Sequence, residues 1–138
     1  MRPKHTILWA DDDMDDREMF REVLEAHAPD HEVIEFTNGK ELLHHLNGRE
    51  AADFPCLIVL DLNMPVLGGR ETLAHLKADD RLQNIPVAIF TTSNSPTDKN
   101  YCDRYDVMMF TKPPSYYQLK NAVERLVDLC AGSQLKRA

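Results

Sequence analysis

The chain has 138 residues, 43% of them hydrophobic and 28% charged, which fits one ordinary globular domain and is too short for two full cores. Its 23 acidic residues outnumber 16 basic ones, for a formal net charge of -7, and aspartates crowd positions 11, 12, 13, 15 and 16. That field repels nucleic acid, whose binding rests on Lys and Arg neutralising phosphates, and attracts divalent cations instead. The first strand is expected at about 5–10, with the apolar run Ile7-Leu8-Trp9-Ala10 meeting acid at once. A helix from about 16 to 27 follows, with Met19, Phe20, Val23 and Leu24 at helical spacing on its inner face. Pro29-Asp30 breaks it, and residues 32–36 form a short strand.

Thr37-Asn38-Gly39 signals a turn into a helix bearing Leu42, Leu43 and Leu46, which stops at Asn47-Gly48. The two histidines on that helix, His44 and His45, need not be ligands, and one of them is expected to face solvent. Residues 56–60 are apolar on both faces, as a central parallel strand should be. After a long loop with Pro65 and Gly68-Gly69, a helix carries Leu73 and Leu76, and Pro86 opens the strand 87–90. A weakly amphipathic helix at 97–105 sets Tyr101 and Tyr105 four apart, and residues 107–110 form the last strand. The final helix has the cleanest stripe, Leu119, Val123, Leu126, Val127 and Cys130, and is expected to end at Gly132. Tyr116-Tyr117 should pack at its start, and Trp9 and Cys56 belong to the core.

Five rounds of strand then helix predict an α/β fold: a doubly wound five-stranded parallel sheet, order 2-1-3-4-5, with helices on both faces, flavodoxin-like. A single domain over 1–138 follows, with its core at about 5–131 and a frayed tail at 132–138. Cys56, Cys102 and Cys130 include no C-x-x-C pair and read as reduced thiols rather than a disulfide or zinc site. Arg2 and Lys4 precede an apolar run too short for a signal-peptide core, and no run reaches the ~20 residues of a membrane span. A cytoplasmic protein is expected, without nucleic-acid or membrane partners.

In such a sheet the carboxyl ends of the strands share the edge where ligands bind. Asp11 and Asp12, Asp61, Thr91, and Lys112 with Pro113 would then meet in one crevice. Carboxylates for a metal, a hydroxyl and an ammonium for phosphoryl oxygens, and one carboxylate as acceptor describe phosphoryl transfer.

In order, spacing and strand context, these residues resemble the receiver domains of two-component response regulators. The likeness rests on Asp11-Asp12, the segment Val59-Leu60-Asp61-Leu62-Asn63-Met64-Pro65 with Gly69, Thr91, and Lys112-Pro113, and covers the whole chain. No output domain follows the last helix, so it resembles the stand-alone, chemotaxis-regulator-like members. Ile85-Pro86 through Ser93, with Tyr105-Asp106-Val107, is similar to the subgroup serving bacterial phytochrome kinases. The resemblance implies Asp61 as phosphoacceptor, Thr91 and Lys112 as its catalytic companions, and no organic cofactor. It implies Mg²⁺ held by Asp12, Asp61 and the Asn63 backbone carbonyl, with Asp11 acting through water. Asp13, Asp15 and Asp16 then serve the helix amino terminus, and Asn63 and Ser93 flank the site. A cis peptide bond before Pro113 is also implied, and Pro114 would stiffen the same loop.

The implied partners are a sensor histidine kinase or phosphotransfer protein and an output partner. A homodimer through the face of the fourth helix, fifth strand and fifth helix, with Tyr101, Tyr105 and Tyr117, is a further expectation. Two departures bear on the switch rather than the chemistry. Met109 occupies the position of the family's usual aromatic, and the Gly-Ala pair before the last strand is missing, with the Thr91-to-Lys112 spacing one residue shorter. The rival is a phosphohydrolase of the haloacid dehalogenase type, which shares the strand-end Asp, hydroxyl, Lys and Mg²⁺. Its second acid, two residues after the nucleophile, is Asn63 here, and no cap domain is present. A degenerate receiver that only docks partners would lack residues that this chain retains.

Overall fold

In the computed structural model, which describes residues 5–113 and 115–137, with 131–137 as backbone alone, strand and helix alternate along the chain. The elements are β1 (His5–Ala10), α1 (Met14–His27), β2 (His31–Phe36), α2 (Gly39–Asn47), β3 (Leu57–Leu60), α3 (Gly69–Ala78), β4 (Val87–Thr91), α4 (Pro96–Arg104), β5 (Met108–Thr111) and α5 (Tyr116–Arg137). A short 3-10 turn, Ala51–Asp53, precedes β3. The strands form one parallel sheet in the order β2-β1-β3-β4-β5. This is the predicted order, and it follows from burial: β3 and β4 are buried at every position, whereas edge strand β2 is not.

Alternate strand residues feed two cores. Leu8, Ala10, Ile58, Leu60 and Ile89 face α2 and α3 with Leu42, Leu46, Leu73 and Leu76. Ile7, Trp9, Val59, Ala88 and Phe90 face α1 and α5 with Phe20, Leu24, Leu119, Val123 and Leu126. Each buried Leu, Ile, Val or Phe among them contributes about 1.5–3 kcal/mol in gross transfer terms. Trp9 stacks on Phe20 with ring centroids 3.9 Å apart.

Helix starts follow local chemistry. The Asp13 carboxylate accepts from Asp16 N at 3.1 Å and caps α1, so that helix begins at Met14, ahead of the expected start. Asn38 caps α2 by accepting from Glu41 N at 3.0 Å, and Ser95 caps α4 in front of Pro96. Gly69 has a separate reason: a Cβ there would lie 2.8 Å from the Asp61 carbonyl carbon and 2.9 Å from Leu62 Cα. Only glycine lets α3 start this close to the end of β3.

Several expectations are corrected. Met19 is exposed, because the inner stripe of α1 is the narrower set Phe20, Val23 and Leu24. Tyr116 and Tyr117 are 51% and 70% exposed, so they stay largely in solvent at the start of α5 instead of joining the core. Helix α5 continues through Gly132 to Arg137. An interior glycine costs a helix about 1 kcal/mol, but without a left-handed cap it does not stop one. Cys56 and Cys130 are joined as a disulfide, with Cα atoms 4.9 Å apart across 74 residues of sequence. Their sequence spacing carried no sign of this, because α5 folds back across the sheet to reach the start of β3. Cys102 is a free, buried thiol. His44 is exposed, while His45 packs its ring against Phe36. Among the described residues there is no cis peptide bond, so Lys112–Pro113 takes the trans form that X-Pro ordinarily prefers. Pro114 lies outside the described residues.

Candidate functional site

Register brings the site together. Ala10 pairs with Leu60, so Asp11 and Asp61 leave adjacent strands side by side at the carboxyl edge. Asp11 N donates to Phe36 O at 3.0 Å and Asp61 N to Ala10 O at 3.0 Å, which extends the ladder one residue and pins both backbones. Thr91 ends β4 and is fully buried, and Lys112 N donates to Thr91 O at 2.7 Å across the last rung to β5. Asn63 lies two residues beyond Asp61 and is exposed, with its N–H donating to Asp61 Oδ1 at 3.3 Å.

One ammonium joins the acids. Lys112 Nζ donates to Asp61 Oδ2 at 2.9 Å and to Asp16 Oδ2 at 2.8 Å, and forms an ion pair with Asp11 Oδ2 at 2.7 Å. Its side chain is only 10% exposed. Burial alone would lower the lysine pKa, but the bonds to Asp11, Asp16 and Asp61 outweigh it and hold the group well above its ordinary value. Asp11 goes the other way. Burial dominates and pushes its carboxyl up to about 6, despite Lys112 and the Asp13 N–H that donates to Oδ1 at 2.9 Å.

Ligand oxygens of Asp11, Asp12 and Asp61 lie within 4.8 Å of one another, Asp12 being the exposed member. Asp11 Oδ2 is buried without a directed hydrogen bond. Three hard oxygens converging at the sheet edge fit a small divalent cation. The geometry therefore has a dense negative focus, one cation supplied from the carboxyl end of β5, and a hydroxyl on the strand between.

Some participants escaped the sequence reading. Asp16 does more than sit at a helix start, because its carboxylate is a third ligand for Lys112. It occupies the third position after the Asp13 cap, from which a side chain reaches back over the helix end, and that spacing was the available signal. Arg17 Nη1 donates to the Asp11 carbonyl at 2.7 Å while its Nε pairs with Glu35 at 3.2 Å, tying α1 and β2 to the acidic turn. Nothing local in the sequence announces that bond. The loop after β3 is strained at Val66, whose φ of 66° is rare for a β-branched residue.

Comparison with known proteins places this arrangement. Residues 7–124 match the family model described as the response regulator receiver domain. The chain is 37% identical to Response regulator Rcp1 of Synechocystis sp., over 70% of this chain and 67% of that protein. It is 33% identical to the probable methanogenesis regulatory protein FilR2 of Methanothrix harundinacea, over 69% of this chain and 63% of that one. It thus spans about two thirds of the length of these curated relatives. Among solved structures, the phosphorylated cyanobacterial phytochrome response regulator RcpA superposes with a TM-score of 0.83 at 30% identity, covering 93% of this chain and 94% of that one. The Mn(2+)-bound form of Rcp1 superposes with a TM-score of 0.77 at 32% identity, covering 88% and 90%. The chain belongs to the response regulator receiver domains of two-component signalling, similar to stand-alone members of the phytochrome-associated subgroup.

Proposed function

We propose that this receiver accepts a phosphoryl group on Asp61 from the phosphohistidine of a sensor histidine kinase or phosphotransfer protein, and changes shape to regulate an output partner. The observation that carries the reading is Lys112 Nζ held among Asp11, Asp16 and Asp61 beside the three-carboxylate focus. Asp61 Oδ1 receives only a long bond from Asn63 N, so it is the freer oxygen to attack phosphorus. The new O–P bond forms as the P–N bond breaks, and the electron pair returns to the imidazole nitrogen. Lys112 then moves its bond from Asp61 Oδ2 to a phosphoryl oxygen. Thr91 accepts from Ser93 N at 3.3 Å and keeps its own O–H to give to another phosphoryl oxygen.

Mg²⁺, or Mn²⁺ as in Rcp1, would be held by Asp12, Asp61 and the Asn63 carbonyl with Asp11 through water, and would offset the charge of the incoming group. The protein is a phosphoacceptor switch rather than a turnover enzyme. We place it in the cytoplasm without nucleic-acid or membrane partners; no helix among the described residues is long and apolar enough to cross a membrane. A homodimer would use the α4–β5–α5 face. Tyr101 and Tyr105 are partly absorbed by packing against each other, so Tyr117 and Met108 are its free anchors.

The test is intact-mass measurement after incubation with acetyl phosphate and Mg²⁺. One base-labile phosphoryl group is expected in the wild type and none in Asp61→Asn. Equal labelling of that variant would overturn the assignment.

A further inference from the structure

Asp98 lies in the first turn of α4, where an acid ordinarily faces water and its own helix end. Here it is buried, 7% exposed, and its carboxylate is spent on two other elements. Oδ1 accepts from Arg70 Nε of α3 at 3.0 Å and also from Arg70 Nη2. Oδ2 accepts from Ser93 Oγ of the β4–α4 loop at 2.6 Å. Ser93 Oγ in turn accepts from Ser95 N at 3.2 Å, and Ser95 is the cap of α4. Ser93 N donates to Thr91 Oγ1 at 3.3 Å. Ser93 therefore bridges the Thr91 hydroxyl, which its backbone N–H reaches, and Asp98, which its hydroxyl reaches, and Asp98 leads on to Arg70, the residue after the Gly69 that abuts the Asp61 backbone. A second tie joins the same helices, Tyr101 OH donating to the Arg70 carbonyl at 2.8 Å.

The links differ in strength. The Asp98 bonds are charge-assisted and short, whereas the Ser93–Thr91 bond is neutral and long. Ser93 follows Thr91 by two residues, so a shift of Thr91 also moves the Ser93 backbone and with it the hydroxyl that holds Asp98. Ser93 and Arg70 also hold the Asp98 carboxyl below its ordinary pKa, so the carboxylate stays charged at neutral pH. Met109 offers no competing polar link, because it packs, like Tyr101 and Tyr105, against the apolar cluster.

We propose that Ser93, Asp98 and Arg70 form a latch that holds α4 in its resting position, with Asp98 the positioning residue through which Thr91 reports the state of Asp61. The proposal rests on the phosphoacceptor reading. Binding of a phosphoryl group at Asp61 draws the Thr91 hydroxyl toward it, loosens Ser93, and frees the first turn of α4.

Amide hydrogen exchange over residues 91–105, with and without beryllium fluoride and Mg²⁺, tests it. Wild-type α4 should exchange several-fold faster with the fluoride. Asp98→Asn should already exchange roughly tenfold faster without it, the loss expected for a charge-assisted bond, and should still take label at Asp61. Ser93→Ala keeps the backbone N–H bond to Thr91 but removes the hydroxyl's bonds to Asp98 and Ser95 N, which uncouples Asp98 from the loop, and its α4 should no longer respond to the fluoride. Lys99→Ala removes the exposed Lys99–Asp103 pair on the same helix and should respond like wild type, which separates the latch from mere helix stability. An α4 that responds in Ser93→Ala as in wild type, or is unchanged in Asp98→Asn, overturns the latch while Asp61 labelling stands. Absence of label in the wild type overturns the phosphoacceptor reading and the latch with it.

Discussion

The two sides of the crevice are built on opposite electrostatic plans. On the β1–β3 side, Asp11, Asp12 and Asp61 are forced together, one carboxylate oxygen lacks a directed hydrogen bond, and a single lysine serves three acids. On the β4–α4 side, Asp98 has all its bonding satisfied by one arginine and one serine. The first arrangement is costly at rest and gains when a cation or phosphoryl group arrives. The second is stable at rest and is lost when something pulls on it. The proposed switch uses both: a site that takes the ligand and a contact that registers its arrival.

The largest effect should come from unbalancing the acidic side further. Lys112→Met leaves Asp11 and Asp61, 1% and 8% exposed at the side chain, without their cation. Breaking such a buried pair costs about 3–5 kcal/mol. Urea denaturation near neutral pH should show this loss, and millimolar Mg²⁺ should recover part of it. Equal stability of variant and wild type in the absence of metal would mean that the lysine does not balance these acids.

Next in size is the satisfied side. Asp98→Asn should lose about 1–2 kcal/mol near neutral pH, at the low end for charged bonds because Arg70 is 38% exposed and screened. The pH dependence has a definite sign. The folded-state pKa of Asp98 lies below its unfolded value, through Ser93 first and Arg70 next. Its contribution is therefore complete above the unfolded pKa of about 3.9 and fades as pH falls through the lower folded value. The gap between wild type and Asp98→Asn should be flat above about pH 5 and close below pH 4, as followed by thermal unfolding across pH. A gap that widened on acidification would contradict the ion pair.

The smallest stability change belongs to Asp12→Ala. Removing one of three crowded carboxylates relieves repulsion, so the metal-free protein should be no less stable, within about 0.5 kcal/mol, or slightly more so. Mg²⁺ affinity should meanwhile fall by roughly tenfold or more, as expected when a small hard cation loses a carboxylate ligand. Titration followed by Trp9 fluorescence checks the affinity, Trp9 lying two residues before the cluster. Affinity unchanged from wild type would remove Asp12 from the ligand set and erase the contrast between the two sides.

Much of this was legible in the chain itself. Apolar runs of strand length ending on Asp11, Asp61, Thr91 and Lys112 announced four strands and their shared edge, because a buried parallel strand must be apolar on both faces while its end must meet polar groups. Asp13 and Asn38 announced helix starts through cap chemistry that acts within a single turn. Such effects reach only three or four residues along the chain, so a linear reading captures them. The doubly wound order followed from combining that alternation with the handedness of crossovers.

Contacts between elements far apart in sequence were decided by tertiary structure. Helical periodicity identifies an inner face, but it does not say which residue of another helix will meet it. Arg70 and Asp98 are 28 residues apart, Lys112 and Asp16 are 96 apart, and Cys56 and Cys130 are 74 apart. In each case the partner is chosen by how two packed elements cross. The same is true of Met19 and Tyr117, which the apolar count placed inside and the crossing of α1 and α5 over the sheet left outside. Local chemistry determined the strands, the helix caps and the set of reactive groups. Only the packing of helices on the sheet decided which acids share Lys112 and which arginine holds α4, because those pairings depend on distances that no local pattern encodes.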